Sequence, residues 1–135
     1  MTSWILLEHE AELQDMMLAM VEILGDEGVA FSSRSEALEW IEAYEQGQIA
    51  FHKPEVALLD IGYDLHDDSL VVANRLHNSS RLNDIIIVLI TPEYLRFEEQ
   101  ERVVIEVGAN FVLYKPLPSI DELALILNGL LLSRY

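Results

Sequence analysis

The chain has 135 residues, no cysteine and a formal net charge of −16, and hydrophobic residues make up 51% of it. This length and apolar content fit one domain with a buried core and are short for two. Disulfides and thiolate metal sites are excluded, nucleic-acid binding is disfavoured by the few, scattered basic residues, and no apolar run is long enough to span a bilayer.

Strand-like and helix-like patterns alternate along the whole chain. The predicted strands cover residues 3–8, 29–33, 56–60, 85–91 and 111–114. The predicted helices cover residues 11–24, 35–46, 69–78, 97–107 and 118–132. The first helix repeats its apolar residues at spacings of three and four, as one buried helix face requires.

The predicted strand at 56–60 is apolar up to its last residue, which is typical of a strand covered on both faces. Strands that alternate with helices build βαβ units, which require a parallel sheet with helices on both sides. We therefore expect an α/β fold of three layers: a flavodoxin-like, doubly wound, five-stranded parallel sheet of order 2-1-3-4-5 with five helices.

Four of the predicted strands are followed by, or end in, a polar residue. Glu8 ends the first, Asp60 the third and Thr91 the fourth, and Lys115-Pro116 follows the fifth. The carboxyl ends of parallel strands lie together at one edge of the sheet, where such folds build their sites. The sequence therefore predicts that an acid cluster, a lone Asp, a hydroxyl and a lysine converge.

This set of residues, with Gly108-Ala109-Asn110 before the fifth strand, resembles the receiver (CheY-like) domain of two-component response regulators. The resemblance extends over essentially the whole chain. It implies a single receiver domain over residues 1–135 with no output domain, a signalling protein rather than an enzyme. At most it would catalyse its own phosphorylation and dephosphorylation within a phosphorelay.

The resemblance also implies the role of each matching residue. Asp60 would accept the phosphoryl group, Lys115 would supply a fixed positive charge, and the Thr91 hydroxyl would hydrogen-bond a phosphoryl oxygen. Glu8, Asp60 and the backbone carbonyl of Gly62 would hold Mg²⁺, which prefers oxygen ligands and retains some water.

The chain departs from the family at the second residue of the acidic pair, where His9 replaces an Asp that binds the metal directly. Imidazole is a poor ligand for Mg²⁺, so its binding is expected to be weak or absent. The loop after Asp60 lacks the usual Pro, Val112 occupies the position of the usual switch aromatic, and Pro92 follows Thr91. A second interpretation is therefore a degenerate receiver that acts as a phosphorylation-independent interaction module.

As partners, the resemblance implies a histidine kinase or phosphotransfer protein, and an effector or a second copy bound through helix 4, strand 5 and helix 5. On helix 5, Leu125 and Leu132 lie opposite the predicted core face. No direct contact with nucleic acid or membrane is expected, and the location is expected to be cytoplasmic. A flavodoxin-like cofactor binder is the less favoured alternative, because the chain has no glycine-rich phosphate loop.

Overall fold

The computed structural model describes residues 1–61, 68–91 and 96–133, in which five strands alternate with five helices. In chain order the elements are β1 Ser3–Leu7, α1 Ala11–Ile23, β2 Glu27–Phe31, α2 Arg34–Glu45, β3 Val56–Asp60, α3 Asp68–His77, β4 Ile86–Thr91, α4 Phe97–Val107, β5 Phe111–Tyr114 and α5 Ile120–Leu132. The strands form one sheet of order β2-β1-β3-β4-β5, and every neighbouring pair is parallel. The predicted fold class and strand order are confirmed.

The sheet separates two hydrophobic cores. One core packs the sheet against α1 and α5, and the other packs it against α2, α3 and α4. Successive strand residues point to opposite faces, so Trp4 and Leu6 enter the first core while Ile5 and Leu7 enter the second. This burial on both sides explains why β1, β3 and β4 carry almost uninterrupted apolar sequences.

The second strand is two residues earlier than the sequence pattern predicted. Gly25 adopts a left-handed backbone with φ of 80°, which ends α1 abruptly and returns the chain to the sheet. Asp26 then accepts hydrogen bonds from the Thr2 backbone and the Trp4 indole, which align the start of β2 with β1. Ser33, predicted to end the strand, instead caps α2 by accepting a hydrogen bond from the Glu36 N–H.

The bounds of β3, α4 and β5 match the predictions, and the remaining boundaries differ from them by at most two residues, as is usual for element ends. Helix α5 begins at Ile120 because Ser119 serves as its N-cap, and α4 ends at Val107, as predicted, before a left-handed Gly108. On α5 the core face is buried, whereas Leu125 and Leu132 are each 73% exposed. No helix within the described ranges is both long and apolar enough to cross a membrane.

Candidate functional site

The polar residues at the strand ends meet at the carboxyl edge of the sheet, as predicted. Asp60 is the last residue of β3 and Thr91 the last of β4, while Glu8 and Lys115 follow β1 and β5. Three of the four are almost completely buried, with 2% of Glu8, 4% of Asp60 and 1% of Thr91 exposed. A buried charge needs a partner, so the arrangement of these groups determines what the site can do.

Lys115 connects the two carboxylates. Its ammonium nitrogen lies 2.7 Å from Asp60 Oδ2 and 3.9 Å from Glu8 Oε2. Burial lowers the pKa of Lys115, but its hydrogen bond and attraction to Asp60 outweigh that effect and the net pKa is raised. The lysine therefore remains a cation, and it compensates one of the two negative charges.

Glu8 is the group with the most altered acidity. Burial, together with a hydrogen bond to the Asp60 carboxyl, raises the pKa of Glu8 to about 7, although the Glu10 backbone N–H donates to Glu8 Oε1 and opposes the shift. Two carboxyl groups can be hydrogen-bonded to each other only when one of them carries a proton. Near neutral pH the Glu8–Asp60 pair therefore shares one proton for part of the time.

Thr91 lies between the strands that carry Asp60 and Lys115. Strand β4 pairs with β3 through Asp60 and Ile90 and with β5 through Thr91 and Tyr114. The Thr91 carbonyl also accepts a hydrogen bond of 2.9 Å from the Lys115 N–H. The backbone thus holds the base of the lysine beside the threonine, and the lysine side chain extends from there to Asp60.

His9 makes a contact that its position in the sequence does not predict. Its ring nitrogen Nδ1 lies 2.9 Å from the carbonyl oxygen of Ser32, and the side chain is exposed. A carbonyl only accepts hydrogen bonds, so Nδ1 is the donor. Gln14 joins the same group through its amide, which donates to the Glu8 carbonyl and to Ser32 Oγ. These bonds connect the end of β1 to the loop before α2.

The predicted ligand Gly62 lies outside the described residues, as do residues 63–67 of the same loop and Pro92. Val112, at the position of the family's usual aromatic, is buried in the core under α2, α3 and α4. The Tyr114 hydroxyl instead donates a 2.8 Å hydrogen bond to Gln100 of α4. This contact was not predicted from the sequence, because a single polar residue on α4 gives no sign of its partner.

The chain resembles known proteins in its fold but not in its sequence. No protein-family model matches the sequence, and no curated protein matches it. Solved structures do match over nearly the whole chain. The chemotaxis protein CheY4 of Vibrio cholerae has a TM-score of 0.76 at 18% identity, covering 96% of this chain and 98% of that one.

Two further solved structures match the chain over nearly its whole length. The receiver domain of a DNA-binding response regulator from Colwellia psychrerythraea has a TM-score of 0.74 at 21% identity, covering 97% of this chain and 98% of that one. The receiver domain of a histidine kinase from Syntrophus aciditrophicus has a TM-score of 0.74 at 16% identity, covering 98% of this chain and 92% of that one.

The chain has the receiver-domain fold. At the carboxyl edge of its sheet, Glu8 and Asp60 place two buried carboxyl groups. Their carboxylate oxygens are hard donors of the type that Mg²⁺ prefers, but among residues 1–61, 68–91 and 96–133 no three His, Cys, Asp or Glu side chains converge on one point. Two carboxylates fit a Mg²⁺ ion that completes its coordination shell with water and substrate oxygens. The two carboxyl groups therefore fit a Mg²⁺ ion that is held by few protein ligands.

Proposed function

We propose that this protein is a response-regulator receiver in phosphorelay signal transduction, and that Asp60 accepts a phosphoryl group from a histidine kinase or a phosphotransfer protein. The observation that carries the proposal is the buried Asp60 carboxylate held 2.7 Å from the Lys115 ammonium, beside Thr91, on a receiver fold. A carboxylate in this setting is a nucleophile next to a fixed cation, as phosphoryl transfer requires.

In the proposed step an Asp60 carboxylate oxygen attacks the phosphorus of a phosphohistidine. The new O–P bond forms as the P–N bond breaks, and the departing imidazole takes a proton from solvent. Lys115 compensates negative charge on the phosphoryl oxygens, because its ammonium already lies within hydrogen-bonding distance of the attacking group. The Thr91 hydroxyl is proposed to hydrogen-bond one of those oxygens after transfer.

Glu8 and Asp60 would hold Mg²⁺, which when bound supplies positive charge for the transferred group. Glu8 has to be ionised for this role, and its pKa of about 7 means that the ion and a proton compete for the same carboxyl group. The Gly62 carbonyl remains a proposed third ligand. His9 adds no anionic oxygen to this set, so the proposal includes a weaker affinity for Mg²⁺ than an Asp at residue 9 would produce.

The proposed output is a change in partner binding at the face made by α4, β5 and α5. These three elements expose Phe97 and Ile105 on α4, Phe111 on β5, and Leu125 on α5. Exposed apolar side chains on neighbouring elements support a surface that binds another protein. The bond from Tyr114 to Gln100 connects β5 to α4 beside Thr91 and would transmit a change at the site to this face. The partner is proposed to be an effector protein or a second copy of the chain.

The test is the intact mass of the protein after incubation with acetyl phosphate and Mg²⁺. Wild type is expected to gain the mass of one phosphoryl group, and Asp60→Asn is expected to gain none. Asp15→Asn, which removes an exposed carboxylate from α1, serves as the matched control and should gain the group as wild type does. No gain in wild type, or an equal gain in Asp60→Asn, would contradict the proposal, and the first result would favour the phosphorylation-independent module.

A further inference from the structure

A cavity of about 430 Å³ opens between α1 and the segment that joins β5 to α5. We call it the α1–α5 cavity. Its walls are mostly apolar and include Leu13, Met16, Met17 and Met20 on one side and Leu117 and Ile120 on the other. Volumes of this size, with apolar walls and a few polar groups, are typical of small-molecule sites.

The α1 wall is made largely of methionine. Met17 and Met20 are buried in the core, whereas Met16 is 43% exposed at the cavity. Methionine side chains are unbranched and polarisable, so they adjust to the shape of an apolar ligand and contact aromatic rings favourably. Three of the four methionines in the chain line this one cavity.

The lining of the cavity includes two charged residues, Glu8 and Lys115, and both already have partners. Lys115 donates to Asp60, while Glu8 accepts from the Glu10 N–H and is hydrogen-bonded to Asp60. An ionic ligand would have to compete for these groups and lose water at apolar walls. The charge distribution therefore favours a ligand without a net charge.

From the size, the apolar walls and the paired charges, we propose that the α1–α5 cavity binds an uncharged aromatic or aliphatic molecule of about a dozen non-hydrogen atoms. The affinity expected for so few atoms in an apolar pocket is a Kd on the order of 10–100 μM. The proposal does not depend on phosphorylation of Asp60.

The test uses the full chain labelled with ¹³C at the methionine methyl groups, titrated at neutral pH with 2-naphthol as an uncharged probe. The chain has four methionines, so Met1, which is exposed and does not line the cavity, is an internal control. The methyl signals of Met16, Met17 and Met20 are expected to shift in a saturable manner, while that of Met1 stays in place. Absence of saturable shifts, or equal shifts of all four signals, would overturn the proposal.

Two charged analogues of the probe test whether the ligand has to be uncharged. 2-Naphthoate and 1-naphthylmethylamine carry one negative and one positive charge at similar size, and each is expected to bind at least about tenfold more weakly than 2-naphthol. Tighter binding of either ion would overturn the assignment to an uncharged ligand.

Met16→Lys should weaken 2-naphthol binding at least about tenfold, because it places a charge at the cavity wall. Ile23→Lys makes the same kind of change at an exposed residue of α1 that does not line the cavity, and should bind as wild type does. Equal affinities of the two variants would place the probe elsewhere and overturn the proposal.

Discussion

The Lys115 ammonium reaches Asp60 across an intervening strand. Lys115 follows β5 and Asp60 ends β3, and β4 lies between those two strands in the sheet. To make this 2.7 Å contact, the Lys115 side chain has to extend over the end of β4 toward β3. Only a long side chain can cover two strand spacings. Thr91 ends the intervening strand and so lies between Asp60 and Lys115 in the strand order.

This bridge predicts the effect of removing the lysine. Lys115→Ala should retain the fold, since the side chain contributes to neither core, but it leaves Asp60 and Glu8 close together without their cation. We expect a loss of about 1–3 kcal/mol in the free energy of unfolding, less than for a fully buried pair because Lys115 is partly exposed. The measurement is urea unfolding, with circular dichroism to check the fold.

A double-mutant cycle with Asp60→Asn isolates the ion pair. Lys115→Ala should cost clearly less in the Asp60→Asn background, where the lysine has lost its main charged partner. Equal costs in the two backgrounds would show that the contact does not stabilise the folded protein. The same lysine variant should also reduce the gain of mass with acetyl phosphate.

The shared proton predicts a pH dependence of stability. Glu8 has a pKa of about 7 in the folded protein against an ordinary value of 4.5, so between these values the folded state holds a proton that the unfolded state has released. The free energy of unfolding should therefore fall as pH rises from about 4.5 to about 7 and level off above that range. The contribution of Glu8 to this fall is about 3 kcal/mol, from the size of the shift.

Glu8→Gln removes this titration while keeping the size of the side chain. The difference in the free energy of unfolding between wild type and Glu8→Gln should change across this pH range, in favour of the variant at higher pH. Urea unfolding at several pH values measures it. Glu12→Gln, an exposed substitution on α1, controls for the loss of one negative charge. A constant difference between wild type and Glu8→Gln would rule out a shared proton.

Replacing His9, which stands where the receiver family has a second acidic residue, should raise the affinity for Mg²⁺. His9→Asp adds an anionic oxygen next to Glu8 and removes an imidazole, so we expect Mg²⁺ to bind about tenfold more tightly or better. Isothermal titration calorimetry measures this directly. Tryptophan fluorescence is less suitable for measuring Mg²⁺ binding, because the Trp4 indole donates a hydrogen bond to Asp26 at the opposite end of β1 from Glu8.

The matched control is His77→Asp, which makes the same chemical change at an exposed position on α3. It should leave the Mg²⁺ affinity near that of wild type. Tight Mg²⁺ binding by wild type, equal to that of His9→Asp, would show that His9 does not limit the site. The protein would then resemble an ordinary phosphorylated receiver in its metal affinity.

The exposed leucines of α5 predict a role in association. Leu125 and Leu132 are each 73% exposed on the face opposite the core, so replacing both with Glu should change the free energy of unfolding little. The double variant is expected to reduce any dimer seen by sedimentation velocity at high concentration. Ile23→Glu, an exposed apolar-to-acid change on α1, is the control. If wild type and the double variant are both monomeric at high concentration, self-association through these leucines is excluded.

Much of this molecule follows from local pattern. Strands β1, β3 and β4 are recognisable because residues buried on both faces must be apolar, and the helices because one buried face repeats every three or four residues. The start of β2 could not be predicted from the residues of β2 themselves. Hydrogen bonds from Thr2 and Trp4 to Asp26 align it with β1, which lies more than twenty residues earlier in the chain. Strand order was predicted because right-handed βαβ crossovers leave few topologies, of which the order 2-1-3-4-5 is the common one at this size.

The candidate site also has a part that could be predicted from the sequence and a part that could not. The sequence by itself determined that Glu8, Asp60, Thr91 and Lys115 lie at one edge, because parallel strands place their carboxyl ends together. Only the tertiary structure decided that Lys115 pairs with Asp60, that Glu8 is buried enough to share a proton with it, and that His9 donates to Ser32. It also decided that methionines of α1 line a cavity beside the site. Distances, burial and side-chain direction depend on how elements far apart in the chain pack together, and spacing along the sequence does not encode them.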